Sequence, residues 1–142
     1  MDFLKDFLIS NNLIENSRAL VKHVADFLET DDCVFYGVVN NELVQLSATG
    51  DKIGANNTIV NKLKISFQKG IVGKVARLKK GRIVNDTSQD EDYIVDIIPK
   101  YSEITVPIIV NNKLIGILDS EHPEKNYYKK FLIFYQRVIF II

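Results

Sequence analysis

The sequence has one cysteine, Cys33, so no internal disulfide can form, and no CxxC or paired Cys/His spacing supplies zinc ligands. This favours a reducing, cytoplasmic setting. An excess of charge is also missing: Lys and Arg total 18, Asp and Glu total 18, and the formal net charge is zero. Such a chain has no bulk attraction for nucleic acid or an anionic membrane. No apolar run reaches the roughly 20 residues of a membrane span. The most apolar stretch, FLIFYQRVIFII from Phe131 to Ile142, must be covered by another element or continue into one. The opening MDFLKDFLISNN carries Asp2 and Asp6 and lacks the basic start and small-residue cleavage site of a signal peptide. Without a secretory route, Asn56-x-Thr58 and Asn85-x-Thr87 read as turn chemistry rather than glycosylation sites.

What the chain has is enough apolar material for a core. At 142 residues and 46% hydrophobic it is sized for one domain that needs no disulfide or metal to fold. The reading is a single unit over 1–142, with a helical segment at 2–29, sheet and pocket at 32–122, and a terminal helix at 127–142. Leu13, Ile14, Leu20, Val21, Val24, Phe27 and Leu28 recur at three- and four-residue spacings, which predicts an amphipathic helix over 12–29. Ile14, Val21 and Leu28 are a heptad apart, a spacing that serves packing on the domain's own sheet or a short helix-pairing seam. Asn11 and Asn12 separate this helix from a shorter one at Asp2 to Ile9.

Two β-rich runs are each split by Asn-Asn, at Asn40-Asn41 and Asn111-Asn112. Asn tolerates the positive φ of a two-residue turn, so both predict antiparallel hairpins. Further strands are expected at Lys62 to Phe67 and Arg82 to Asn85, with a helix from Ile71 to Lys80 stopped by Gly81. The fold class is therefore α+β with a mainly antiparallel sheet.

KGIVGKVARLKKGRIVNDTSQDEDYI, then SEITVPI, then NKLIGILDSEHP resemble, in order, the successive motifs of a GAF domain over about Asp32 to Tyr128. The chain is most similar to GAF modules at the input end of bacterial sensor histidine kinases. The resemblance implies a central sheet of five to six strands, terminal helices on one face, and a small-molecule pocket on the other, roofed by short helices and loops. It implies a cytoplasmic, non-catalytic sensory module that binds a small metabolite, dimerises through its terminal helices and serves a kinase or other output domain. A ligand-free dimerisation platform is the alternative. No cofactor is implied.

Free methionine-R-sulfoxide reductases are the enzymatic branch of this family that the chain distantly resembles. Their chemistry needs an attacking and a resolving thiol. The matching positions here are Val72 and Asp96, and Cys33 reads as a buried structural thiol, so reductase activity is not expected. Covalent bilin attachment and the dispersed cyclic-nucleotide motif also find no match. What carries over is the reductase's ammonium clamp, at Glu103, Asp119 and Glu121. With these, the resemblance places Phe35, Val72, Asp86, Tyr93, Ile94, Asp96 and Thr105 as candidate ligand-binding residues, Asp86 also capping the turn after its strand.

The clamp has a geometric condition. If Val110 faces Lys113 across a simple Asn-Asn turn, Ile104 pairs with Asp119 and Glu103 with Ser120, which puts Glu103 and Asp119 on opposite faces. Pro107, mid-strand and without an N–H to donate, marks a bulge or an edge there, and one extra residue would restore a shared face.

Other motifs read plainly. Asp86, Asp90, Glu91 and Asp92 lack EF-hand spacing and read as a polar loop. GIVGK is not a phosphate loop, and Gly70 and Gly73 read as room for close approach to the sheet. His23 reads as a surface or interface residue. His122 has no nucleophile or metal beside it and reads as a cap on the strand end, with pH sensing as its alternative role.

Overall fold

The computed structural model describes residues 13–132. Helix α1 (Leu13–Phe27) leads into β1 (Val34–Val39), β2 (Glu42–Ala48), β3 (Lys64–Ser66), helix α2 (Gly70–Leu78), β4 (Arg82–Val84), β5 (Ser102–Val110) and β6 (Lys113–His122). The strands form one antiparallel sheet in the order β3-β2-β1-β6-β5-β4, the α+β architecture expected. The helix expected at Asp2 to Ile9, and the terminal segment beyond Leu132, lie outside the described residues.

Both Asn-Asn pairs make the turns their chemistry suggests. Asn40 and Asn41 have φ of 50° and 63°, and Asn111 and Asn112 have 50° and 61°, the paired positive values of a type I′ hairpin turn. Helix α2 ends differently from expectation. Lys79, with φ of 52°, takes the left-handed position directly after Leu78, so the helix stops before Gly81 is reached. At its other end α2 presses on β3: a Cβ at Gly73 would lie 2.6 Å from the Ser66 carbonyl oxygen, so only glycine allows this approach.

The sheet separates two apolar clusters, and strand alternation decides which side chain joins which. On one face, Val21, Ala25 and Leu28 pack with Cys33, Phe35, Val106, Leu118, Tyr128 and Phe131. Val21 and Leu28 are thus core residues on the domain's own sheet; the Ile14 side chain lies outside the described residues. On the other face, Ile71, Val72, Val75 and Ala76 of α2 pack with Val34, Tyr36, Leu43 and Ile117. Each fully buried aliphatic side chain contributes roughly 1.5–3 kcal/mol.

Two register shifts set what the α2 face displays. In the β5–β6 hairpin Ile109 pairs with Leu114 but Ile108 pairs with Gly116, so Ile115 is an extra residue on β6. The shared face therefore exists, although the bulge lies in the partner strand rather than at Pro107. Pro107 pairs with Ile117 beyond the end of β4, whose ladder stops at Arg82 and Thr105. There β5 is locally an edge, where a residue without an N–H is tolerated. Leu46 is similarly extra in β2, which brings Gln45 opposite Tyr36.

Candidate functional site

Past the Ile115 bulge, Thr105 pairs with Asp119 and Glu103 with Glu121. Residues two apart on a strand share a face, so three carboxylates and a hydroxyl meet beneath α2. Glu103, Asp119 and Glu121 are 4%, 3% and 3% exposed. The Thr105 hydroxyl donates to Asp119 Oδ1 at 2.6 Å and lies 3.4 Å from Glu103 Oε1. Glu103 Oε2 and Glu121 Oε1 are buried with no hydrogen-bond partner. Leaving buried carboxylate oxygens unsatisfied is costly, and such groups call for an additional donor.

A buried lysine answers part of this demand. Lys52 ends a short 3₁₀ turn (Gly50–Lys52) after β2 and is 5% exposed. Its Nζ donates to Glu121 Oε2 at 2.9 Å and stands 3.2 Å from Asp32 Oδ1 and 3.5 Å from Asp96 Oδ2. Asp96 is held in turn: Gln45 Nε2 donates to its Oδ2 at 3.0 Å, and Asn61 Nδ2 to its Oδ1 at 3.3 Å. Gln45 Nε2 also lies 3.0 Å from the Tyr36 hydroxyl.

The electrostatics follow from too many acids in too little water. Burial, opposed by Lys52, pushes the Asp32 carboxyl up to about 6 and Glu121 up to about 7. Burial, reinforced by Asp119, holds Glu103 well above the usual carboxylate range. For Lys52, burial alone would favour the neutral amine, but Asp32, Glu121 and Asp119 outweigh it and hold the ammonium charged.

Between the acids and α2 lies a cavity of about 20 Å³, bordered by Tyr36, Val72, Ile94, Asp96, Glu103, Asp119 and Glu121. That is room for about one water. Beyond Lys52 opens a larger cleft of about 180 Å³, flanked by Asp31, Asp32, Asp51, Ile97, Lys100 and Glu121. Glu121 borders both spaces, and Lys52 lines the larger one.

Of the expected site residues, the fold gathers Val72, Tyr93, Ile94, Asp96, Glu103, Thr105, Asp119 and Glu121. Tyr93 accepts from the Lys100 amide at 3.0 Å, and its hydroxyl is pushed up by burial and by Glu121. Two residues lie elsewhere. Phe35 faces the α1 side because β1 alternation gives the α2 side to Val34 and Tyr36. Asp86 caps the turn Thr87–Gln89, accepting from the Ser88 amide, and pairs with Lys125 at 3.0 Å. Sequence reasoning missed Lys52, Asp32, Gln45 and Tyr36. Only Tyr36 carried a signal, its place one step along the strand from Phe35.

The remaining motifs find ordinary partners. Asp90 pairs with Arg82 at 2.6 Å and Asp92 with Lys74 at 3.3 Å. Among the described residues no group of three or more His, Cys, Asp or Glu side chains is placed to hold a metal ion. Cys33 is fully buried on the α1 side, where burial, with Asp32, pushes its thiol up, the opposite of an activated thiolate. His122 ends β6, accepts from the Glu124 amide at 3.0 Å and stacks on Tyr127. Burial holds it below its ordinary value. No helix among the described residues is long and apolar enough to cross a membrane.

The fold is shared with known structures. It matches the type II free methionine-R-sulfoxide reductase of Thermoplasma acidophilum with a TM-score of 0.73 at 16% identity, over 88% of this chain and 85% of that one. It matches the free methionine-R-sulfoxide reductase of Neisseria meningitidis, solved with its substrate, with a TM-score of 0.70 at 18% identity, over 95% and 80%. The GAF domain of an Acinetobacter phosphoenolpyruvate-protein phosphotransferase matches with a TM-score of 0.68 at 18% identity, over 97% and 86%. At such identities the likeness is one of fold. No protein of curated function matches the sequence significantly. The sequence profile of the GAF domain matches residues 12–132, and the chain belongs to this family of ligand-binding regulatory domains.

Proposed function

We propose that this GAF domain is a non-catalytic sensory module whose buried acids receive the cationic group of a small metabolite. The observation that carries the reading is the buried cluster of Glu103, Asp119 and Glu121 on one face of the β5–β6 hairpin, in which Glu121 Oε1 has no hydrogen-bond partner. A desolvated carboxylate cluster binds an ammonium more strongly than carboxylates in water do. The absence of cysteine at Val72 and Asp96, where the reductase comparison places its thiols, supports a binding rather than a redox role. With Cys33 buried on the opposite face, no pair of thiols is available for sulfoxide reduction.

The state of the site would pass through the chain's ends. The turn Tyr127–Phe131 meets α1: the Tyr127 hydroxyl donates to the Leu28 and Glu29 carbonyls, and the Phe131 and Phe27 rings lie 5.9 Å apart. These contacts support signalling by the terminal segments, in a homodimer, toward an output such as a histidine kinase. The Ser120-Glu121-His122-Pro123 segment favours the kinase-input type.

A thermal-shift screen of amine-bearing metabolites tests the reading, since a bound ligand raises stability as the logarithm of its concentration. Stabilisation by a cationic metabolite, lost in Asp119→Asn and Asp119→Ala, is expected. No shift with any such compound would favour the second reading, a ligand-free dimerisation platform, which the one-water size of the cavity supports.

A further inference from the structure

Lys52 already places one cation on Glu121, beside the oxygens that a ligand's cation would take. Three carboxylates, Asp32, Asp96 and Glu121, stand around its Nζ at 3.2, 3.5 and 2.9 Å, Glu121 as its hydrogen-bond acceptor and the other two as charge partners. Glu121 commits Oε2 to it and leaves Oε1 without a partner, and Glu103 Oε2 is likewise unpartnered. The acid site is thus occupied but not saturated.

The segment that delivers Lys52 is closed on itself. Within 50–60 the Ile53 amide donates to Gly50, Gly54 to Thr58, Thr58 to Ala55 and Val60 to Lys52, and Ile53 bridges Ile59. The ion pairs of Lys52, with the packing of Ile53 on the α2-side core, join this loop to the sheet. Withdrawing the side chain breaks no backbone ladder. The cleft on the outer side of Lys52 offers Asp31 and Asp51 as alternative partners for a displaced ammonium, and the apolar Ile97 and Ile98 as a wall for an alkyl chain.

We propose that Lys52 is a tethered occupant of the acid site, and that a primary ammonium on a short apolar chain enters from the cleft and binds by replacing its Nζ. This rests on the reading of the acids as a cation site. The loop 50–60 is then the element that moves when ligand binds, and the affinity of any cationic ligand is lowered by the work of expelling the built-in one.

The test uses propylammonium, the fragment missing from Lys52→Ala. Expected is a lower Tm for Lys52→Ala than for the wild type, and saturable restoration by propylammonium at a concentration at least tenfold below that which stabilises the wild type. The double variant Lys52→Ala, Glu121→Gln should lose that response. If Lys52→Ala does not fold, Lys52→Met preserves the stem and is measured in the same way with ammonium, the group then missing, in place of propylammonium. In the wild type, saturating propylammonium should speed hydrogen–deuterium exchange across residues 50–60. Equal affinity in wild type and variant, or binding to the wild type without faster exchange there, overturns the tethered-occupant proposal and leaves the cation site standing. Failure of propylammonium to bind folded Lys52→Ala, or of ammonium to bind Lys52→Met where that variant stands in for it, overturns both.

Discussion

Glu103 lies directly across the β5–β6 ladder from Glu121, so two buried carboxylates form one cross-strand pair, a placement that like charges alone would disfavour. The arrangement persists because Lys52 holds Glu121 and because Glu103 keeps its proton far more readily than a solvated acid. The pair therefore couples the stability of the domain to its protonation.

Stability should fall as pH rises from about 4 to about 7. Asp32 and Glu121 are pushed up to about 6 and about 7 in the folded chain, above their unfolded values. Folded-state values raised in this way give stability that is complete below the unfolded pKa and lost as pH climbs through the folded one. Cation binding should run the other way, strengthening across that window as Glu121 ionises. Denaturant titrations at pH 4.5 and 8 check the first trend, and Glu121→Gln should flatten it.

Glu103→Gln should cost less than about 1 kcal/mol at neutral pH, since an amide reproduces the shape and neutrality of a carboxyl that holds its proton. Chemical denaturation measures this. A loss of 3 kcal/mol or more would mean that Glu103 is charged and paired in the native state.

Gly116→Ala should destabilise by about 1–3 kcal/mol, an overpacking cost. Its Cβ would come within 2.5 Å of both the Phe35 ring and the Tyr36 carbonyl oxygen, and the backbone atom cannot step aside. The expected readout is a lower Tm with an unchanged denaturant m-value.

How much of this was legible in the sequence depended on the range of the interaction concerned. The hairpins were, because Asn-Asn between β-rich runs is a local signal for a local turn, and so was the burial of Val21 and Leu28, which periodicity encodes. The need for a bulge followed from counting residues between Glu103 and Asp119. Its position did not, since nothing in the side chain of Ile115 distinguishes it from the aliphatic residues around it. Phe35 was misplaced because one residue of strand parity separates it from Tyr36, and parity is set by pairing rather than by residue type. Lys52 was invisible for a stronger reason: within GDKIG it reads as a solvated loop lysine, and its closest partner, Glu121, is 69 positions away.

The extra residue at Ile115 also governs how this chain can be compared with others. Every position beyond it on β6 owes its face of the sheet to a single insertion, so a relative whose hairpin is one residue shorter would turn the acids aligned with Asp119 and Glu121 toward the α1-side core. Identity at those columns would then be chemically empty. The length of the hairpin, as much as the presence of the acids, tells which members of the family could hold a cation in this way.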